Sequence, residues 1–530
     1  MRQVAKRYWR KFIVSNGSES AASAGIVYLV GAGPGDPGLL TVRGRELLAG
    51  AEVVIFDRLA SPRLLAFASP DAERIYVGKR IGKHVANQDE INSVIVRKAR
   101  EGKKVVRLKG GDPFIFGRGG EEAEILSREG IPFEIVPGVT SAIAAPAYAG
   151  IPLTHRAHTA SVAIVTGHRR CDVKEADVDW EGLAKGVGTL VFLMGMTNLS
   201  NIAGTLVKYG RSPDTPVGII RWGTTPYHKT LTGTLENIAE KVKDAGFKPP
   251  AVIVVGDVVS VREHINWYEK KPLLGKRILV TRSREQASDL IGILEERGAG
   301  CIECPTIAIR PPEDISPLDR AIDAIDSFDW IVFSSANGVR FFFDRLFEKG
   351  RDIRALGSIR IAAVGSSTAE VLRELYLNID LIPDVFRAEG LIAAFSELEM
   401  AGKRVLVPRA KVARQTLVDG LEAMGADVTV VTSYETVLPP VPPEVIDILE
   451  VEPADVLTFT SSSTVKNFFR AMPEDIRERV TATAKIASIG PITSKTAEKY
   501  GLEVHIEPSE STIPALADAI EAYFSDRDGE

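Results

Sequence analysis

The chain has 530 residues, 45% apolar and 25% charged, with a net charge of −5. That length holds about three or four domains with buried cores, and the charge argues against bulk nucleic-acid binding. No apolar run reaches the ~18 residues of a membrane helix, and three cysteines, Cys171, Cys301 and Cys304, suit a reducing cytoplasm better than a disulfide scaffold.

Residues 1–24 stand apart, with Arg2, Lys6, Arg7, Arg10 and Lys11 against only Glu19, then a Ser/Ala/Gly run. The apolar core of this stretch is too short for a secretory signal, so a disordered basic extension is expected. IVYLVGAGPGDPGLL (26–40) reads as a buried strand followed by a glycine–proline loop. It opens like a dinucleotide fingerprint, but Asp36 stands where the third glycine belongs. Pro34 and Pro37 also remove N–H groups that a phosphate would want. A non-phosphorylated ligand suits this loop better. After a helix over 41–50, a strand ends in Phe56-Asp57-Arg58, placing a carboxylate at a C-terminal strand edge, where α/β proteins gather their sites. The next strand ends at Lys79, and an amine beside a carboxylate makes a plausible acid–base pair.

The densest stretch is VVRLKGGDPFIFGRGGEE (105–122). A short strand breaks on Gly110-Gly111, where the missing Cβ atoms let a ligand approach the backbone. Asp112 can brace local N–H groups, or offer its carboxylate to a ribose hydroxyl or a cation. Phe114 and Phe116 supply walls for a flat ring, and a helix starts at Glu121-Glu122. Alternating strands and helices continue through residue 259, each strand ending in glycine near a polar residue. Two α/β lobes facing a common cleft are expected.

The blocks GAGPGDPGLLT, DRL, VGKR, RLKGGDPFIFGRGGEE, PGVTSA, GIPLTHR and VFLMGM stand in the order seen in uroporphyrinogen-III C-methyltransferases, and residues 25–265 resemble that family. The resemblance implies the two-lobed tetrapyrrole methylase fold and two successive methylations of uroporphyrinogen III, to precorrin-2, with S-adenosylmethionine as donor. It further implies that Pro34, Gly110, Gly111, Asp112, Ile115, Thr140, Ser141, Met194 and Gly223 line the methyl donor. Asp57 would be the proton acceptor and Lys79 the proton donor. Arg43, Arg80, Arg107, Arg118 and Arg156 become candidate clamps for the substrate's carboxylates. A homodimer through this half is compatible with the resemblance.

A charged segment, 266–274, reads as a linker in which few contacts cross. Beyond it lies an internal repeat. GKRILVTRS (275–283) matches GKRVLVPRA (402–410) at an offset of 127, and FSSANGVRFFF (333–343) matches FTSSSTVKNFF (459–469) at 126. Two further blocks keep step, so the repeat is an α/β unit of about 125 residues with a small parallel sheet. Cys301-x-x-Cys304 has no second pair at metal spacing, and no metal is expected. Where the first copy has Ile307 the second has Tyr434, a phenol at a strand end and a candidate for chemistry.

VTR with Arg282, FSSANGV, AVGSSTA, YET with Tyr434, FTSSSTV and IGPITSKTA with Thr493 resemble uroporphyrinogen-III synthase over roughly 273–525. The resemblance implies a two-lobed fold with a two-stranded hinge, one lobe from 275–310 plus 437–526 and the other from 313–434. It implies cyclisation of hydroxymethylbilane with inversion of the last ring. Tyr434 would donate the proton, Thr493 would support it, and Arg282 and Arg409 would bind acetate and propionate groups. Together the resemblances imply a bifunctional cytoplasmic enzyme that leads towards sirohaem and cobalamin, acting on small tetrapyrroles without nucleic acid, membrane or metal. Two rivals are a methylase of this fold with another corrin substrate, and a second half that binds tetrapyrrole without catalysis.

Overall fold

A computed structural model describes residues 25–78, 87–167, 178–282 and 284–525; the basic extension, Lys79, Arg80 and Cys171 lie outside these. The first sheet contains β1 (Ile26–Gly31), β2 (Val53–Phe56), β3 (Glu73–Tyr76), β4 (Lys104–Lys109) and β5 (Phe133–Val136) in the order β3-β2-β4-β1-β5. All its pairs are parallel, so every strand ends on the same edge. The central strands are buried on both faces because helices cover both. Val27, Ile55 and Val105 pack towards the helix Gln88–Arg100, while Val30, Val54 and Leu108 form a second core on the other face. That helix starts on a capping box in which Asn87 accepts from the Glu90 N–H and Glu90 accepts from the Asn87 N–H.

The second sheet contains β6 (Val162–Thr166), β7 (Thr189–Leu193), β8 (Pro216–Arg221), β9 (Lys229–Thr234) and β10 (Ala251–Val255), ordered β6-β7-β10-β8-β9. It is mixed: β10 runs antiparallel to both neighbours, which sends the ends of β7 and β8 to one edge.

Two further sheets follow. One joins β11 (Arg277–Val280) and β12 (Gly300–Glu303) to β18 (Val456–Phe459), β19 (Lys485–Ser488) and β20 (Val504–Ile506), in the order β12-β11-β18-β19-β20, all parallel. The other is β13-β17-β16-β14-β15, built from β13 (Ala308–Arg310), β14 (Trp330–Phe333), β15 (Arg360–Ala363), β16 (Arg404–Ala410) and β17 (Asp427–Val437). Parallel pairing, as expected, runs through this sheet except at its edge, where β13 lies antiparallel to the far end of β17. Each copy of the repeat contributes two strands to one sheet and three to the other. In the β13–β17 ladder Ile309 faces Thr436, its own counterpart 127 residues on.

Segment 266–274 differs from the loose linker expected of it. Tyr268 is buried against Tyr148, Trp267 and His228, and Leu273 is fully buried in the core beneath β11. An ion pair of Arg63 with Glu295 also ties the first half to the second. The charges Glu269, Lys270 and Lys271 suggested solvent, whereas the aromatics just before them, Trp267 and Tyr268, carry the packing.

Candidate active sites

The loops at the C-terminal edge of the first sheet meet the strand ends of the second. Asp57 follows β2 with its side chain 26% exposed. Its Oδ1 accepts the Leu59 N–H and its Oδ2 accepts Arg107 Nη2, each at 3.0 Å. A carboxylate has about four acceptor positions, so lone pairs remain for a substrate proton. A Cβ on Gly110 would lie 2.5 Å from Leu59 Cβ, so the close approach that demands this glycine is made by the Asp57 loop.

Gly111 has φ 71° and exchanges backbone hydrogen bonds of 2.7 and 3.2 Å with Gly33. A Cβ there would meet only Ser141 N and Thr140 Cα, both at 3.7 Å. This saddle brings together the Pro34 loop, Gly111, Thr140 and Ser141; Thr140 Oγ1 caps the helix that begins at Ser141. Of the roles open to Asp112, the bracing one is seen. Its Oδ1 accepts from Phe114 N (2.7 Å) and Ile115 N (3.1 Å), and its Oδ2 from Gly138 N (2.9 Å). Phe114, Ile115 and Phe116 are all exposed, an apolar run beside open backbone that fits a flat ligand.

From the second lobe, Met194 follows β7 and Trp222-Gly223-Thr224 follows β8. Thr224 Oγ1 accepts the Asp36 N–H at 3.1 Å, and Arg58 lies 5.6 Å over the Trp222 ring, so this lobe touches both loops of the first. Gly223 admits the helix Ser141–Tyr148, since a Cβ would stand 2.3 Å from Ala145 Cβ. Phe116, Arg118, Met194, Trp222 and Thr224 all hold positive φ, the kind of strain that gathers at functional sites.

The candidate clamps separate. Arg107 is buried and turned into the lobe, Arg43 pairs with Glu134 on the surface, Arg118 pairs with Glu121, and Arg156 is exposed. Sequence reading missed Glu122, which lies under Arg107. A signal was present: two cations in alternation on a buried strand call for a buried anion nearby.

In the second half, Tyr434 is buried near the end of β17, with its hydroxyl 3.0 Å from Ser335 Oγ and its ring stacked on Phe341. Ser335 also caps the helix Ala336–Glu348. A cavity of about 530 Å³ at this sheet is lined by Ser334, Arg387, Glu389, Arg409 and Arg414, and neither Tyr434 nor Ser335 is among its lining residues. Arg387 and Arg414 were not expected from the sequence, since their loops carry no strand or helix pattern. Arg409 donates to the Arg414 carbonyl and Gln415 Oε1. Thr493 is buried in the first turn of the helix Pro491–Lys499, which packs on the other sheet. Arg282, just past β11, is half-buried, and burial lowers its guanidinium from the usual value.

Burial pushes the Cys304 thiol up to about 12, and the Cys301 thiol is raised as well. Among the described residues no cluster of three His, Cys, Asp or Glu could hold a metal, and no helix is long and apolar enough to cross a membrane.

The family signature of tetrapyrrole (corrin/porphyrin) methylases matches residues 26–239, and that of uroporphyrinogen-III synthase HemD matches 288–518. The porphyrin biosynthesis protein HemD of Ruminiclostridium josui is 40% identical over 497 residues, 94% of this chain and 97% of its own. The uroporphyrinogen-III C-methyltransferase of Bacillus subtilis is 46% identical over 360 residues, 68% of this chain and 74% of its own. The S-adenosyl-L-methionine-dependent uroporphyrinogen III methyltransferase of Methanosarcina barkeri is 54% identical over 239 residues, 45% of this chain and 94% of its own.

Proposed function

The chain belongs to the tetrapyrrole methylases through its first half and to the uroporphyrinogen-III synthases through its second, and on that premise we propose that it performs two consecutive steps. The second half closes hydroxymethylbilane to uroporphyrinogen III. The first half methylates that product twice, to precorrin-2, towards sirohaem and cobalamin. We assign the methyltransferase to 25–265 and the synthase to 275–526, with lobes of 275–310 plus 437–526 and of 313–434. A cytoplasmic site of action rests on cysteine usage alone.

The observation that carries the reading is the placing of the Asp57 carboxylate on the same sheet edge as the Gly33–Gly111 saddle. S-adenosylmethionine, when bound, supplies an electrophilic methyl group. The saddle fits it, since Gly111 packs without crowding, a Cβ there finding only van der Waals contact with Thr140 and Ser141, and the exposed Phe114-Ile115-Phe116 run offers apolar cover. Pro34, Gly110, Asp112, Thr140, Ser141, Met194 and Gly223 shape the same cleft. As a pyrrole carbon forms its new C–C bond, the porphyrinogen must lose a proton, and Asp57 takes it. Holding the reacting carbon in line supplies much of the rest. Lys79, beyond the described residues, keeps the proton-donor role that the resemblance gives it.

In the synthase half Tyr434, hydrogen-bonded to Ser335, gives its proton to the departing hydroxyl of the bilane, supported by Thr493 from the other lobe. Arg387, Arg409 and Arg414 bind its acetates and propionates in the cavity they line.

The test is to incubate the protein with hydroxymethylbilane, with and without S-adenosylmethionine, and to identify products by mass and isomer. Type III uroporphyrinogen without donor and a doubly methylated product with it are expected. Type I product alone would make the second half a binding module.

A further inference from the structure

Strand β4 is buried on both faces, yet carries Arg107 and Lys109 in alternation on one of them. The helix Gly119–Arg128 brings Glu122 over that face with its side chain only 1% exposed. Glu122 Oε1 receives Lys109 Nζ at 2.8 Å, Gln88 Nε2 at 3.2 Å and Arg107 Nε at 3.5 Å, while Oε2 is buried with no partner. The far end of the same guanidinium is also held: Nη1 donates to the Leu108 carbonyl and Nη2 to Asp57 Oδ2, both at 3.0 Å. Every nitrogen of Arg107 therefore has an acceptor in a different direction, which leaves it one orientation. Two cations and two anions make the cluster neutral. Burial lowers the Lys109 ammonium from its usual value, and Glu122 opposes that.

A buried ionic cluster with a bare carboxylate oxygen is a poor way to build a core, because apolar residues of similar volume commonly do as well or better. Its outlet is Asp57, the one member that reaches the cleft. We propose that Glu122 is a positioning residue for the methyl transfer, aiming Arg107 so that the Asp57 carboxylate is fixed towards the proton it removes. Lys109 balances its charge. This rests on the assignment of Asp57 as proton acceptor.

The full-length protein tests it in two charge-neutral variants. Glu122→Met with Lys109→Met removes the acceptor under Arg107 Nε. Glu122→Gln with Lys109→Met keeps one. Binding of S-adenosylmethionine and cyclisation of hydroxymethylbilane report that both halves are folded, and thermal unfolding is followed alongside. The Met/Met variant is expected to melt no lower than wild type and to bind the donor within about two-fold, yet to lose about ten-fold or more in kcat for methyl transfer. The Gln/Met variant should recover most of that loss. A purely structural role predicts the reverse coupling, with kcat falling only as the melting temperature falls. In an Asp57→Asn background the Met/Met pair should change the residual rate less than about two-fold. Wild-type turnover by Met/Met, or an undiminished further loss on top of Asp57→Asn, would overturn the proposal while leaving Asp57 as the base. Wild-type turnover by Asp57→Asn alone would instead bring down the base assignment and this inference with it.

Discussion

Asp57 and Asp112 are both aspartates at strand ends, and their surroundings part them. Three backbone N–H groups occupy the Asp112 carboxylate, whereas Asp57 keeps lone pairs towards the cleft. Replacing Asp57 by Asn preserves an oxygen for Arg107 or Leu59, so the loop should keep its shape. We expect S-adenosylmethionine affinity within a few-fold of wild type and methyl transfer down by about two powers of ten or more, as for loss of a general base. Single-turnover methylation beside equilibrium dialysis measures both, and unchanged turnover would remove Asp57 from the mechanism. Arg107 shows where residue-level reading ended. As a substrate clamp it needed to face the cleft, but alternation along a strand cannot say which face a helix will cover.

At the scale of elements, the strand-ending glycine pair divides its labour. Gly111 is required by its backbone, with φ 71° and room for a Cβ. Gly110 is required by its neighbour, because a methyl there would strike Leu59 and shift the loop that carries Asp57. Gly110→Ala should therefore lower methyl-transfer kcat at least ~10-fold, on the scale of a misplaced catalytic group, while donor binding changes little. Loss of donor binding in step with kcat would mean that Gly110 touches the donor directly. The sequence disclosed the lobes because apolar runs bounded by glycine loops are strong signals. It did not disclose the antiparallel set β8, β9 and β10, or β13, since pairing direction depends on how the chain returns rather than on composition. Arg387 and Arg414 of the synthase cavity were hidden for a related reason: their loops meet Arg409 only once the strands of the sheet are ordered.

Across the whole molecule, the aromatic seam at 266–274 joins the halves more firmly than its charges suggested. Leu273 belongs to the synthase core, so a fragment begun at Gly275 leaves a hole. We expect a fragment of 270–525 to cyclise hydroxymethylbilane and to be more stable than 275–525 by roughly the ~2–5 kcal/mol of a buried leucine truncation. Equal denaturation midpoints would refute this. Glu269 adds a pH dependence. Burial alone would raise its carboxyl, but hydrogen bonds from His228, Thr230 and Arg262 hold it down at about 2. A carboxyl depressed in the folded state stabilises fully above its unfolded value near ~4.3, and loses that contribution as pH falls towards the folded value. The difference in melting temperature between wild type and Glu269→Gln should shrink as pH drops from about 5 to 2, and a difference constant with pH would speak against it.

The pairing of Ile309 with Thr436 has one more consequence. A half-turn about that pair exchanges the two copies of the repeat, so the synthase half has the architecture of a strand-exchanged dimer whose chains have been joined end to end. The join, near residue 400, is then a tether between parts already interlaced through both sheets. A backbone broken there should leave both lobes complete. Two separately made pieces, 270–400 and 401–525, should find each other and restore cyclisation, as neither lobe can be finished by one piece alone.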